Sequence, residues 1–124
     1  MVLILVVDDS DSALTVVETM LAGAGHQVIT SRSARHALTI LEDHAVDLII
    51  TDIYMPDEDG LELMRDARRV APNTPVIAMS GMTGKRDMLR VARGLGARCV
   101  LYKPFSRQEL LTAVSQAFDS SPAD

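Results

Sequence analysis

The sequence predicts an α/β fold of (βα)5 type, a parallel five-stranded sheet sandwiched in a three-layer arrangement between two sets of helices. Three observations carry this expectation. Five short apolar runs alternate with five longer amphipathic ones. Several apolar runs are near-continuous Val, Ile and Leu, the pattern of parallel strands covered on both faces. The connections have the length of right-handed crossovers, and no repeat, low-complexity segment or internal linker interrupts them.

The first strand is expected over Val2–Val7. This stretch lacks the basic flank and cleavage site of a signal peptide and is too short to cross a membrane. A helix over Asp11–Ala22 follows, with Leu14, Val17 and Leu21 on one stripe. Strand two is expected over His26–Thr30. Helix two covers Ser33–His44, capped by Ser33 and buried through Ala34, Ala37, Leu38 and Leu41. Strand three covers Val46–Thr51, and Met55-Pro56-Asp57-Glu58-Asp59-Gly60 reads as turn chemistry. Helix three, Gly60–Val70, buries Leu61, Met64 and Ala67. Strand four is expected over Pro75–Met79, helix four over Lys85–Leu95 with Gly84, Gly94 and Gly96 crowding its ends, and strand five over Arg98–Leu101. The last helix, Ser106–Phe118, opens on Ser106-Arg107-Gln108-Glu109, the spacing of a capping box. Residues 1–119 form one domain on this reading, and residues 120–124 a tail or the start of a linker.

Composition narrows the class. A chain of 124 residues buries about two-thirds of its unfolded surface and needs no staple. With 48% hydrophobic and 23% charged residues it is not a disordered chain. The single cysteine, Cys99, excludes an intramolecular disulfide framework and fits a reducing cytoplasm. A net charge of −5, with two Tyr, two Phe and no Trp, offers little to phosphates or bases, so direct nucleic-acid binding is not expected. No membrane contact is expected either.

In an open α/β sheet, ligands bind beyond the carboxyl ends of the strands. Reading the residue after each strand puts Asp8, Asp9, Asp52, Ser80 and Lys103 on one edge. Three neighbouring carboxylates repel one another unless a cation joins them. A hard divalent ion such as Mg²⁺, which takes oxygen ligands, is the natural partner for Asp8 and Asp9. Asp52 is then a candidate nucleophile, since a carboxylate can attack phosphorus to form an acyl phosphate. Lys103 supplies a point charge for a phosphoryl oxygen, and the Ser80 hydroxyl a donor. Each residue alone has a plainer reading. Asp8, Asp9, Ser10 and Asp11 precede a helix, where Asp and Ser are ordinary caps. The joint placement of all five at strand ends is what the plainer reading leaves unexplained.

The chain closely resembles the receiver domain of bacterial two-component response regulators. The resemblance rests on Leu5-Val6-Val7-Asp8-Asp9, Asp52-Ile53-Tyr54-Met55-Pro56-Asp57-Glu58-Asp59-Gly60-Leu61-Glu62-Leu63, Ala78-Met79-Ser80-Gly81 and Tyr102-Lys103-Pro104-Phe105, and covers about residues 2–118. It implies a flavodoxin-like strand order, 2-1-3-4-5. It makes Asp52 the phospho-acceptor, Asp8 and Asp9 the acidic pair for Mg²⁺, and Asp52 and the backbone carbonyl of Tyr54 further ligands. Ser80 becomes the switch hydroxyl, Lys103 the phosphoryl-binding lysine, and Lys103–Pro104 a candidate cis bond. The implied partners are a sensor histidine kinase or histidine phosphotransfer protein, and a downstream protein or fused output domain on the face of the fourth helix, fifth strand and fifth helix. The protein is then a cytoplasmic switch that catalyses its own phosphorylation and dephosphorylation, as a monomer or an activation-linked dimer. The bulky Tyr54 and Met82 stand at the family's rate-tuning positions and imply a long-lived phosphorylated form.

One position departs from the pattern. Many receivers carry an aromatic switch three residues before the lysine, where this chain has Val100. Tyr102 lies two residues on, on the same strand face, and either takes over part of that role or leaves signalling without an aromatic flip. Other signals are set aside. Gly81-Met82-Thr83-Gly84-Lys85-Arg86 lacks the glycine spacing of a phosphate loop. Asp8-Asp9 would repel the phosphate of a flavin in a flavodoxin-type protein. His26, His36 and His44 have no ligand spacing with Cys99, which reads as a small core residue, while His44 reads as a surface residue at a helix end. Arg65, Arg68 and Arg69, and Arg86, Arg90 and Arg93, read as solvated faces, the second set offering cations to an acidic partner. Two alternatives stand beside the switch: a phosphorylation-independent interaction module, and a small phosphatase with an aspartyl nucleophile. The phosphatase would need an acidic residue where Tyr54 stands.

Overall fold

A computed structural model of the chain describes residues 2–55, 58–81, 90 and 92–119. In chain order the elements are β1 (Leu3–Val7), α1 (Asp11–Gly23), β2 (Gln27–Ser31), α2 (Ala34–Asp43), β3 (Leu48–Asp52), β4 (Tyr54–Met55), β5 (Glu58–Asp59), α3 (Gly60–Val70), β6 (Val76–Gly81), a helix α4 described at residues 90 and 92–94, β7 (Ala97–Lys103) and α5 (Arg107–Asp119). The main sheet is parallel throughout, in the order β2-β1-β3-β6-β7, which is 2-1-3-4-5 among its own five strands.

Alternating side chains build two cores, one on each face of the sheet. Ile4, Val6, Ile50, Ile77, Met79 and Leu101 meet α1 and α5 through Leu14, Val17, Leu21, Leu110 and Val114. Leu5, Val7, Ile49, Val76 and Ala78 meet Ala37, Ile40 and Leu41 of α2, Leu63, Met64 and Ala67 of α3, and Ala92 of α4. Each fully buried aliphatic side chain contributes about 1.5–3 kcal/mol, so the central strands are the most firmly held part of the molecule. All five residues of β3 are buried, as its place in the middle of the sheet requires.

Most expected elements appear within a residue or two of their expected bounds, and α3 coincides with its expected span. Three differences have physical reasons. β6 extends to Gly81 and β7 to Lys103, because Ser80 pairs with Tyr102 and Gly81 with Lys103 and so prolong the ladder. The stretch expected to be only a turn carries an antiparallel ladder, Tyr54 opposite Asp59 and Met55 opposite Glu58. In α2, Ile40 is buried while Ala34 and Leu38 are only half-buried, and Leu63 joins the core of α3. His44 is exposed and Cys99 half-buried against the α5 side. The start of the fourth helix, Met82, Arg86, the Pro56-Asp57 turn, the Leu61 side chain and the tail after Asp119 lie outside the described residues.

The helix starts follow their caps. Ser33 Oγ accepts the His36 amide at 3.0 Å. At α5 the Ser106 amide donates to Glu109 Oε1 (2.9 Å) and the Glu109 amide donates to Ser106 Oγ (3.0 Å), a reciprocal box. Replacing Ser106 by Ala is expected to cost about 1 kcal/mol, read as a lower urea midpoint at unchanged slope.

Candidate functional site

The β1–β3 ladder ends with Val7 beside Thr51, so the next residues along the two chains, Asp8 and Asp52, emerge side by side at the carboxyl edge. Both are buried, at 1% and 7% exposure, while the neighbouring Asp9 is open to solvent. One oxygen from each of the three carboxylates falls within 4.8 Å of the others.

Asp8 is held from three directions. Its amide donates to the Ser31 carbonyl (3.1 Å), which ties it to β2. Its Oδ1 accepts the Ser10 amide (3.0 Å), and its Oδ2 accepts Lys103 Nζ (2.6 Å). The same ammonium donates to Asp52 Oδ2 at 3.2 Å. Ser10 also caps α1 through its hydroxyl, which accepts the Ala13 amide at 3.3 Å, so one residue starts the helix and steadies the carboxylate. The peptide between Lys103 and Pro104 is cis.

Burial works against the charge on Lys103. The hydrogen bond to Asp8 and the fields of Asp52 and Asp8 outweigh it, and its pKa stands above the ordinary lysine value. The stabilisation from this raised value is fully present below the ordinary lysine pKa and is lost only as pH rises through the higher folded one. Throughout the neutral range the site therefore holds an ammonium between two buried carboxylates. Hard anionic oxygens from Asp8, Asp9 and Asp52, with Asp9 open to solvent, are a donor set suited to a hard divalent cation.

The aim of Lys103 depends on an irregularity further back in β7. Val76 pairs with Ala97 and Ile77 with Cys99, which leaves Arg98 as an extra residue, a β-bulge. Ala97 accordingly packs on the α2–α3 side, whereas Cys99 and Leu101 pack on the α1–α5 side. Alternation from Leu101 carries Lys103 to the α1–α5 face, the face on which Asp8 follows Ile4 and Val6 and Asp52 follows Leu48 and Ile50. Were Arg98 in regular alternation instead of bulged, counting from Ala97 would send Lys103 to the other face. Arg98 Nη1 donates to the Ala117 carbonyl (3.1 Å), tying the bulge to α5. Short apolar runs in the sequence carry no mark of such a bulge, and this is why it was not expected.

Ser80 is buried, but it shares the opposite face with Val76 and Ala78, and its hydroxyl donates to the Gly81 carbonyl at 3.3 Å rather than to the acid cluster. Tyr102, its register partner, shares that face with Val100 and is half-exposed. Tyr54 opens β4 two residues past Asp52.

The model of the family described as response regulator receiver domain matches residues 4–115. The chain belongs to this family. Among curated relatives, the DNA-binding transcriptional regulator NtrC of Azospirillum brasilense is 37% identical over 118 residues, a match covering 95% of this chain and 24% of that protein. The receiver thus spans about a quarter of that relative's length. Among solved structures, a response regulator receiver domain protein from Clostridium thermocellum superposes with a TM-score of 0.89 at 30% identity, covering 96% of this chain and 95% of that one. The beryllofluoride-activated NtrC4 receiver domain dimer, solved in solution, gives a TM-score of 0.87 at 30% identity, covering 98% of this chain and 100% of that one.

Among the described residues, two grooves open on the receiver. One, of about 500 Å³, runs between α1 and the β7–α5 connection, lined by Ser12, Ala13, Val16, Lys103, Pro104 and Phe105. The other, of about 380 Å³, lies along β7 and α5 between Arg93, Val100, Glu109, Thr112 and Gln116. No helix among the described residues is long and apolar enough to cross a membrane.

Removing the Lys103 ammonium leaves the buried carboxylates uncompensated. Lys103→Met is expected to lose about 2–3 kcal/mol at neutral pH, part of the cost of breaking a buried pair because the lysine keeps some solvent contact. Urea titrations of wild type and variant at neutral pH read the difference.

Proposed function

We propose that the receiver takes a phosphoryl group on Asp52 from a phosphohistidine of a sensor histidine kinase or histidine phosphotransfer protein, and so switches a downstream interaction. The observation that carries this reading is the shared ammonium: Lys103 reaches Asp8 and Asp52 at once, at the mouth of a solvent-open acid cluster. The Asp52 carboxylate attacks phosphorus in line as the P–N bond breaks. The electron pair of that bond leaves with the imidazole nitrogen, and the new P–O bond makes an acyl phosphate. Lys103 stands where it can exchange a carboxylate oxygen for a phosphoryl oxygen, offsetting the charge that accumulates in the transition state. Asp8, Asp9, Asp52 and the Tyr54 carbonyl would hold Mg²⁺, which would supply neutralisation of phosphoryl charge.

The response follows from the same edge. Phosphorylation adds about −1.5 to −2 charge beside Ser80. To reach a phosphoryl oxygen, the Ser80 hydroxyl gives up the Gly81 carbonyl and draws the end of β6 toward the site. Tyr102, paired with Ser80 and half-exposed, transmits that shift to the α4–β7–α5 face. The groove there, with the Arg93 guanidinium, receives a downstream protein, an output domain or a second copy. The α1 groove lies next to Lys103 and admits the phosphodonor. Residues 1–119 act as this unit, in the cytoplasm.

Intact mass after incubation with acetyl phosphate and Mg²⁺, on wild type and Asp52→Asn in parallel, tests the reading. One phosphoryl group on wild type and none on the variant is the expected result. No adduct on either, together with no beryllofluoride complex, would replace the switch by a phosphorylation-independent module.

A further inference from the structure

Asp8, Asp52 and Lys103 have tasks in this reading, and the residue before the acceptor has none. Thr51 is fully buried, at 0% exposure, in a strand whose preceding residues are Leu48, Ile49 and Ile50. Val7 and Ala78 flank it in the sheet, on the face opposite the carboxylates. Valine would fill the same space without burying a hydroxyl, which destabilises the fold unless it is bonded. The Thr51 hydroxyl donates to the main-chain carbonyl of Asp52 at 3.0 Å, its one partner among the described residues.

The other end of that peptide unit is held too, since the Ile53 amide donates to the Met79 carbonyl at 3.0 Å. β3 ends at Asp52, so the acceptor is the last residue before the chain leaves the sheet. The Asp52–Ile53 peptide is the first beyond the strand, and its orientation sets where the carboxylate points. We infer that Thr51 is a positioning residue: its hydroxyl fixes the Asp52–Ile53 peptide and with it the aim of the Asp52 carboxylate at phosphorus. This role rests on the proposed phospho-acceptor and adds to it the part of the strand that points it. In-line displacement is sensitive to small errors of placement, and a loosened nucleophile loses rate without losing donor affinity.

The experiment compares wild type, Thr51→Val, Thr51→Ser and Thr51→Cys. Adduct formation is followed by intact mass over a range of acetyl phosphate concentrations with Mg²⁺. Hydrogen exchange of the Ile53 amide is followed by NMR in the metal-free protein. For Thr51→Val the maximal rate is expected to fall about tenfold, with the half-saturating acetyl phosphate concentration unchanged and the Ile53 amide exchanging several-fold faster. Thr51→Ser, which keeps the hydroxyl, is expected to stay within about twofold of wild type on both measures. If Thr51→Val fails to give a cooperative thermal melt, Thr51→Cys, a weaker donor, carries the same expectation. A folded Thr51→Val that phosphorylates like wild type overturns the role, as does a Thr51→Ser as slow as Thr51→Val. A wild type that takes no phosphoryl group on Asp52 overturns the acceptor reading and this role together, so the two failures are told apart by the wild-type arm.

Discussion

Two carboxylates buried side by side at the end of a parallel sheet cannot both stay ionised without a counter-charge, and the Lys103 ammonium provides it. The lysine is 95 residues from Asp8 and 51 from Asp52 in sequence, so the contact exists only once the sheet has assembled in its observed order. The central strands place the acids, the edge strand brings the base across to them, and the two apolar cores hold the strands in step. Stability and chemistry meet at this point, because the ammonium that makes the acids tolerable in the fold is also the cation a phosphoryl group would use.

The supporting contacts around that trio are mostly main-chain. The Ser10 amide steadies Asp8, the Ser31 carbonyl ties it to β2, and the Met79 carbonyl holds the peptide after Asp52. Main-chain groups of a packed sheet move little, so a site fastened to them keeps its geometry while its exposed side, at Asp9, stays open to solvent. Ser80 and Tyr102 lie across the edge on the other face, in register with each other and apart from the acids. That separation puts the charges on one face of the sheet end and the Ser80–Tyr102 pair on the other.

Much of this was legible in the residues. The aliphatic runs of β1 and β3 declare two-sided burial, and the stripe Leu14, Val17, Leu21 of α1 was read without error. Ser33 and the pair Ser106/Glu109 announce their caps because the bonding partners lie three residues away. Asp8, Asp52 and Lys103 were expected on one edge, and the structure brings them into contact. Ser80 was expected there too and is bonded elsewhere, since strand ends fix a residue's height on the sheet but the alternation fixes its face. Ile40 and Leu63 were missed because which side of a helix is buried depends on the neighbours it meets. The bulge and the Tyr54–Met55 ladder depend on pairing between distant or turn-closed segments, which apolar periodicity does not encode.

The extra residue at Arg98 has a consequence for how β7 can vary. Composition and length are different constraints on this strand. Side chains on its exposed edge can be exchanged while the lysine keeps its direction, since direction comes from counting and not from identity. A single insertion or deletion between Cys99 and Lys103 reverses the count and turns the ammonium to the far face, however conservative the residues around it. Two such changes restore it. The strand is therefore permissive to substitution and intolerant of odd changes in length, and the charge balance of a site at the opposite end of the chain is what enforces the count.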